Sequence, residues 1–212
     1  MRRKFDVQAA KERYSKDYDT LPRFISYFYQ IDSILREKPG NILIVGIGNN
    51  LVGDYLKKRG LPVKTCDFDK TLKPDVVADI RSLPFKDNSF DVAVAFEVLE
   101  HIPFKDIEKA LNELRRVSRK AVIISLPYSC FSLEFILNFH FPLMARILRF
   151  FVALPYTFIK TIHGGEHYWE MGRKDYPKKK VKSVIKKYFS IKKEFNPIMN
   201  PYHSFFVLRK LF

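Results

Sequence analysis

A run of aliphatic residues followed directly by two glycines is the feature that most constrains this fold. Ile42 to Val45 contains only aliphatic side chains, which is typical of a strand buried on both faces of a parallel sheet. Gly46-Ile47-Gly48 follows at once, and Leu51 to Lys58 then has a helical pattern. Glycine suits such a connection because the chain turns sharply and a ligand approaches its backbone. The pattern predicts a strand, a ligand-binding loop and a helix.

The same alternation of strands and helices continues along the chain. Short apolar runs predict further strands at 62–66, 76–78, 91–96 and 121–125, and a helical stripe runs from Ile107 to Val117. Two closing strands are predicted at 190–195 and 204–210. Strands that alternate with helices favour a mostly parallel sheet with right-handed crossovers. The expected fold class is therefore α/β, a doubly wound sheet.

The length of 212 residues suits one domain with an insertion. We divide residues 1–212 into an N-terminal helical segment (1–40), a core (41–127), an insert (131–175), and a basic helix with closing strands (176–212). The N-terminal helix is expected over 5–38, with Phe24, Ile25, Phe28, Ile31 and Ile34 on its apolar face. The insert is rich in Phe, Leu and Ile over 131–162, and we expect it to be helical and apolar.

Charge and cysteine content narrow the function classes. The net charge is +15, and residues 131–212 supply +10 of it, with 15 Lys/Arg and 5 Asp/Glu. Such a bias indicates an anionic partner, namely RNA, a phosphorylated substrate or a membrane surface, or else a solvated lysine face. Two cysteines and no apolar leader after Met1 favour the cytoplasm. The run 141–159 contains two prolines and two arginines, too many for a membrane span.

An acidic residue after the second strand indicates the kind of ligand. Leu51 stands where the dinucleotide fingerprint needs a third glycine, which argues against a pyrophosphate-binding dehydrogenase. Asp67 lies 19 residues after Gly48, a distance that places a carboxylate near ribose hydroxyls. Asp69 offers the same chemistry and is the alternative.

Three longer motifs complete the pattern. They read D-I-R-S-L-P-F at 79–85, S-F-D-V-A-V-A-F-E-V-L-E-H-I at 89–102 and L-N-E-L-R-R-V at 111–117. With the glycine loop and Asp67, this ordered set resembles the class I methyltransferases, especially the methyltransferase type 11 group, over residues 41–127. The chain departs from that pattern at Asn49-Asn50, where a further glycine is frequent, which leaves the loop geometry open.

The resemblance implies a Rossmann-like sheet whose last strand is antiparallel, and S-adenosyl-L-methionine as cofactor. It places Gly46 and Gly48 beside the methionine and ribose, Asp67 on the ribose, Asp79 with the Ile80 backbone on the adenine, and Phe96 and Glu97 near the transferred methyl. The cofactor-binding residues implied in this way are Gly46, Ile47, Gly48, Asn49, Asp67, Phe68, Asp79, Ile80, Phe96 and Glu97.

Glu97, Glu100 and His101 form an E-x-x-E-H pattern whose spacing puts all three on one helix face. Two carboxylates and an imidazole suit a divalent ion, and some methyltransferases with a similar pattern use one. Because the pattern is widespread in relatives without a metal, we predict no metal here. The alternative role for Glu100 and His101 is to organise the loop after the fourth strand.

A second polar cluster follows the insert, at residues 163–170. His163 and His167 are the candidate bases, and Glu97 is the third candidate catalytic residue. Tyr168 and Trp169 either stack on a flat substrate or pack on the core. A base is needed only where the acceptor loses a proton, because the sulfonium methyl is already activated.

The sequence therefore predicts an S-adenosylmethionine-dependent methyltransferase whose acceptor is a small or an apolar, lipid-like molecule. The apolar insert would cover that acceptor, and the basic C-terminal third would face an anionic membrane surface. An RNA methyltransferase that uses the basic third is one alternative. A non-catalytic binding protein with a cofactor fold is the other. The expected location is cytoplasmic, with association at a membrane.

Overall fold

The computed structural model describes residues 18–141, 144–160 and 167–211. Its main sheet has seven strands in the order β3-β2-β1-β4-β5-β9-β8. The strands are β1 (Ile42–Val45), β2 (Val63–Asp67), β3 (Val76–Val77), β4 (Phe90–Phe96), β5 (Ser118–Pro127), β8 (Phe189–Phe195) and β9 (His203–Lys210). The first five run parallel, whereas β9 is antiparallel to both β5 and β8. The mostly parallel sheet with an antiparallel last strand confirms the predicted fold class.

Helices cover both faces of this sheet. One face is packed by α1 (Leu21–Arg36) and α2 (Leu51–Lys58), and the other by α3 (Ile107–Val117) and α4 (Lys178–Ile185). All four residues of β1 are buried because they lie between these two helical layers. The continuous aliphatic run at 42–45 is thus explained by burial on both faces.

The exposed face of α1 differs from the prediction. The helix buries Ser26, Tyr27, Gln30 and Ile34, whereas Phe24 and Phe28 lie in solvent. Polar contacts set this orientation, since the Ser26 hydroxyl lies 2.7 Å from Nδ1 of His203. The predicted start of the helix, at residues 5–17, lies outside the described residues.

The predicted helical insert after β5 is wrong. Residues Cys130–Phe141 and Met144–Pro155 form two antiparallel strands, β6 and β7, in a separate hairpin. Over 131–139 every odd residue is Phe or Leu, and the even positions include Ser132, Glu134 and Asn138. This period of two places the apolar side chains on one face of a strand and suits no helix. None of the helices in the described segments is long and apolar enough to cross a membrane.

Candidate functional site

A cavity of about 450 Å³ opens at the carboxyl ends of β1, β2 and β4. In open parallel sheets, ligands bind at this edge. The glycine loop after β1 forms its centre, with Asp67 from β2 on one side and Glu97 after β4 on the other. Seven of the ten predicted cofactor residues line this cavity: Gly46, Ile47, Gly48, Asn49, Asp67, Phe96 and Glu97.

Two features of the loop require glycine at Gly46. Its φ of +78° lies in the left-handed region, and a Cβ atom there would sit 2.2 Å from Cγ2 of Val98. The loop continues through Gly48 at φ +54° and Asn50 at φ +59°. Asn50 adopts a left-handed conformation that asparagine tolerates better than most residues, so the departure from the family pattern at 49–50 keeps the turn.

We expect Gly46→Ala to lower the free energy of unfolding by about 2–5 kcal/mol. The left-handed backbone costs a residue with a Cβ about 1–2 kcal/mol, and overpacking against Val98 adds about 1–3 kcal/mol. Gly60→Ala is the matched control, because Gly60 has φ +80° and a Cβ there would meet no atom within 4 Å. Urea unfolding of both variants measures the difference. Equal losses would contradict the predicted contact with Val98.

Asp67 is buried and connects the ends of two strands. One carboxylate oxygen accepts the amide of Ile47 at 2.9 Å, and the other accepts the amide of Asp69 at 2.9 Å. Burial raises the pKa of this carboxyl, while those backbone N–H donors act in the opposite direction. The residue therefore fixes the glycine loop against β2 and still borders the cavity.

Three predicted cofactor residues lie apart from the lining of the cavity. Phe68 is partly exposed beside Asp67, and Ile80 is buried in the core under α3. The carboxylate of Asp79 binds the Arg81 guanidinium, and this hydrogen bond lowers the pKa of Asp79. The alternative ribose ligand, Asp69, accepts hydrogen bonds from the Thr71 amide and hydroxyl at 2.8 and 2.7 Å, so it caps a short helical turn instead.

Glu97 adopts a backbone conformation that is costly for a non-glycine residue. Its φ is +52°, and its amide donates to the carbonyl and the hydroxyl of Ser125 at 3.2 and 3.1 Å. Oε2 lies 3.6 Å from Nε2 of His203, and Oε1 has no hydrogen-bond partner among the described residues. Strained residues of this kind cluster at functional sites, and this one borders the cavity.

Glu100 is wholly buried beside Glu97. Neither of its carboxylate oxygens has a hydrogen-bond partner in the described part of the chain. Burial raises its pKa well above the usual range, and the charge of Glu97 adds to this. Ligand atoms of Glu100, His101 and His167 lie within 4.8 Å of one another and offer a set that suits a divalent ion. The structure thus adds His167 to Glu100 and His101 as a third candidate metal ligand.

His167 is oriented by a carboxylate. Its Nδ1 lies 2.8 Å from Oε1 of Glu170, and Glu170 also accepts hydrogen bonds from Ser129, Arg173 and the hydroxyl of Tyr202. The hydrogen bond from His167 is the largest cause that lowers the pKa of Glu170, to about 2. A carboxylate at Nδ1 favours the tautomer in which Nε2 is free to accept a proton.

The other candidates in this segment have different surroundings. His163 lies outside the described residues. Trp169 is fully buried, donates to the carbonyl of Ile102 at 3.1 Å and packs edge-on against Phe104, so it belongs to the core. Tyr168 packs against the same core.

Sequence reasoning missed the contribution of the N-terminal segment to the cavity. Residues before and within α1 line it, namely Tyr18, Thr20, Arg23, Tyr27 and Gln30. The Tyr27 hydroxyl donates to Asp19 and accepts from the Asn49 amide at 2.9 Å. The sequence did contain a signal for this role: α1 carries Ser26, Gln30 and Ser33 on its buried side, where a helix that only packs on a core has apolar residues.

The hairpin makes no contribution to this cavity as far as residues 130–141 and 144–160 are described. That the insert covers the acceptor site stays a prediction. The side of the hairpin that faces the protein contacts the loop 196–199 instead, through Glu134 and Arg149.

Comparison with known proteins identifies the central part of the chain. Residues 43–126 match the family model described as a methyltransferase domain. An uncharacterised protein of Methanocaldococcus jannaschii is 39% identical over 78 residues, which are 34% of this chain and 33% of that protein. The chain therefore matches about a third of the length of this curated relative.

Several solved structures share the fold. A protein of Pyrococcus horikoshii has a TM-score of 0.60 at 15% identity, with 94% of this chain and 96% of that chain covered. The N-methyltransferase NodS of Bradyrhizobium japonicum, in complex with S-adenosylhomocysteine, has a TM-score of 0.60 at 10% identity, with 94% and 96% covered. The 1,6-didemethyltoxoflavin-N1-methyltransferase of Burkholderia thailandensis, with its substrate and S-adenosylhomocysteine, has a TM-score of 0.59 at 13% identity, with 88% and 79% covered.

Proposed function

We propose that this chain is a class I S-adenosylmethionine-dependent methyltransferase, similar to the type 11 group, that methylates a small-molecule acceptor. The match of residues 43–126 to a methyltransferase domain model supports this proposal. The observation that carries the proposal is the cavity around the glycine loop, Asp67 and Glu97. Its volume of about 450 Å³ falls in the range of small-molecule and cofactor sites.

The residues of the cavity fit S-adenosylmethionine. Gly46 lets the backbone approach a ligand, and Asp67 supplies buried carboxylate oxygens for ribose hydroxyls. Arg23 is the arginine in the described lining, and its guanidinium suits the carboxylate of the methionine part. When bound, this cofactor supplies an activated methyl group on a sulfonium. Two of the structural neighbours above contain the demethylated cofactor, S-adenosylhomocysteine, according to their descriptions.

The side of the cavity after β4 supports an acceptor that loses a proton. Glu97, Glu100, His101, His167, Tyr202 and His203 all line it. His167, oriented by Glu170, would take the proton from an N–H or O–H group of the acceptor, and Glu97 would orient that group. Burial lowers the pKa of His203, so this imidazole is neutral and contributes hydrogen bonds. Two of the neighbours are N-methyltransferases by name, which supports an amine as the acceptor.

Different features of the molecule bear on the lipid-like acceptor and on the RNA alternative. The polar lining beside Glu97 suits the reacting group of an acceptor, but it does not determine the rest of that molecule. An apolar tail on the acceptor therefore stays a prediction. For RNA, the basic helix α4 offers fewer free charges than its sequence implies. Lys178 and Lys182 pair with Glu194, and Lys187 pairs with Glu108. RNA binding that weakens steeply with salt would favour that alternative.

Transfer of a labelled methyl group tests the proposal. The protein is incubated with methyl-labelled S-adenosylmethionine and a cell extract that is then fractionated into small molecules, lipids, RNA and protein. We expect the label in the small-molecule fraction, or in lipids if the acceptor has an apolar tail. Label in RNA would support the alternative. Absence of transfer to every fraction, together with absence of cofactor binding, would leave only the non-catalytic binding protein.

We expect methyl transfer to continue after removal of divalent metals. Burial raises the pKa of the Glu100 carboxyl and so favours its protonated form, which is a poor metal ligand. Attack on a sulfonium methyl also needs no Lewis acid. The check is turnover of the identified acceptor with and without a chelator. A large loss that Mg²⁺ or Mn²⁺ restores would show that Glu100, His101 and His167 hold a metal.

A further inference from the structure

The hairpin β6–β7 presents an apolar face that nothing in the described part of the chain covers. Residues directly opposite each other in an antiparallel pair share a face, and here these are Phe131 with Leu154, Leu133 with Val152, Phe135 with Phe150, and Leu137 with Leu148. Phe139 extends the row, and all nine side chains are 39–62% exposed. Twelve residues per strand give the face a length of about 40 Å.

The outward direction of this face is fixed by contacts on the opposite side of the hairpin. There Arg149 pairs with Glu134 and donates to the carbonyls of Asn196 and Pro197 at 2.6 and 3.0 Å. Glu134 also accepts the amide of Met199 at 2.8 Å. Glu134 and Arg149 on this side of the hairpin thus contact the protein, while the nine Phe, Leu and Val side chains lie on the opposite side.

Charge around the hairpin has one sign. Glu134 is the acidic residue of 130–160, and Arg149 neutralises it. Residues 173–187, which follow the hairpin in the chain, contain eight Lys/Arg and one acidic residue. Four of these eight form ion pairs, namely Arg173, Lys178, Lys182 and Lys187. This segment lies at the base of the hairpin, where Lys178 sits 4.9 Å from the ring of Tyr128 and Lys174 donates its amide to the carbonyl of Ile159. Lys160, Lys174 and Lys179 are exposed there.

We propose that the apolar face of β6–β7 docks onto an anionic lipid membrane. Its Phe, Leu and Val side chains enter the boundary between headgroups and acyl chains, and the lysines at the base bind lipid phosphates. An apolar face with flanking cations is the composition of elements that lie in this interface, and cations near an anionic surface strengthen the attachment. The methyltransferase cavity, which the hairpin does not line, stays free.

The same observations disfavour a second copy of the chain as the occupant. Two molecules with a net charge of +15 each repel one another. The nine side chains also offer no hydrogen-bond donor or acceptor, whereas protein interfaces carry about one hydrogen bond per 100–200 Å². The acyl-chain region of a membrane contains no hydrogen-bonding groups, so this face needs no donor or acceptor there.

Co-sedimentation of the full chain with vesicles tests the proposal. We expect binding to phosphatidylcholine vesicles that contain phosphatidylglycerol, and weaker binding to phosphatidylcholine alone. Phe135→Ser with Phe150→Ser, a cross-strand pair at the middle of the face, should weaken binding by about tenfold or more. The matched control is Phe24→Ser with Phe28→Ser, which removes two exposed phenylalanines from α1 and should leave vesicle binding unchanged. Circular dichroism confirms that both variants are folded.

A second measurement does not depend on the stability of the serine variant. Phe135→Trp places a fluorophore on the face, and the native Trp169 is buried, so brominated acyl chains should quench the new residue. Absence of vesicle binding, equal binding by the Phe135/Phe150 variant, or absence of quenching would each overturn the proposal. So would a dimer in solution that this variant dissociates, because the face would then belong to a second copy.

Discussion

Replacing Asp67 by alanine is expected to weaken S-adenosylmethionine binding by about tenfold or more. Charged hydrogen bonds to ribose hydroxyls contribute about 1.5–3 kcal/mol, and tenfold corresponds to about 1.4 kcal/mol. The same change also removes the carboxylate that holds the amides of Ile47 and Asp69, so the glycine loop loses an anchor. Calorimetric titration of the folded variant measures the effect.

Asp69→Ala is the matched control for this prediction. It removes a carboxylate two residues away that caps Thr71 and does not line the cavity, so the affinity for the cofactor should stay within a few-fold of the native value. If Asp69→Ala lowered the affinity for S-adenosylmethionine and Asp67→Ala left it unchanged, Asp69 would be the ribose ligand. Unchanged affinity in both variants would undermine the cofactor site itself.

Replacing His167 by alanine is expected to lower kcat by about 10²–10⁴-fold, with little change in cofactor affinity. Proton transfer by a positioned base contributes a factor of this size, and Glu170 holds the ring through Nδ1. His140→Ala is the control, because His140 is exposed on the hairpin and away from the cavity. Turnover of the identified acceptor is the measurement.

Glu170 is a positioning residue in this account, and its test separates that role from a structural one. Glu170→Gln should lower kcat without affecting cofactor binding. Glu170→Asp, which keeps a carboxylate beside the imidazole, should retain more of kcat than Glu170→Gln does. Full activity in His167→Ala would contradict the assignment. A large loss in His163→Ala or in a His203 variant would then transfer the role of the base to that residue.

Local sequence patterns were sufficient to predict the strands, the glycine loop and the helix α3 within residues 41–127. The continuous aliphatic strand at 42–45, the glycines after it and the helical stripe at 107–117 each specify their structure within a few residues, and the structure has all three. Parallel strands place their carboxyl ends at one edge, so Asp67 and Glu97 were expected near the same ligand. The shared cavity follows from this arrangement.

The errors have two physical origins. In the insert, the apolar composition suggests a buried helix, but the alternation of Phe131, Leu133 and Phe135 with polar residues indicates a strand. At the site, the residues of α1 arrive through long-range contacts that no local pattern encodes. Ser26 and His203 meet across 177 positions of the chain, and Tyr27 reaches Asn49 from a helix that precedes the sheet.

Cofactor binding is tested by titration of the purified full chain with S-adenosylmethionine. We expect one cofactor per chain, a dissociation constant between about 1 µM and 1 mM as for ordinary substrates, competition by S-adenosylhomocysteine, and weaker binding by Asp67→Ala. A folded protein that releases no heat with either compound across that range would contradict the claim that this cavity is a methyltransferase cofactor site.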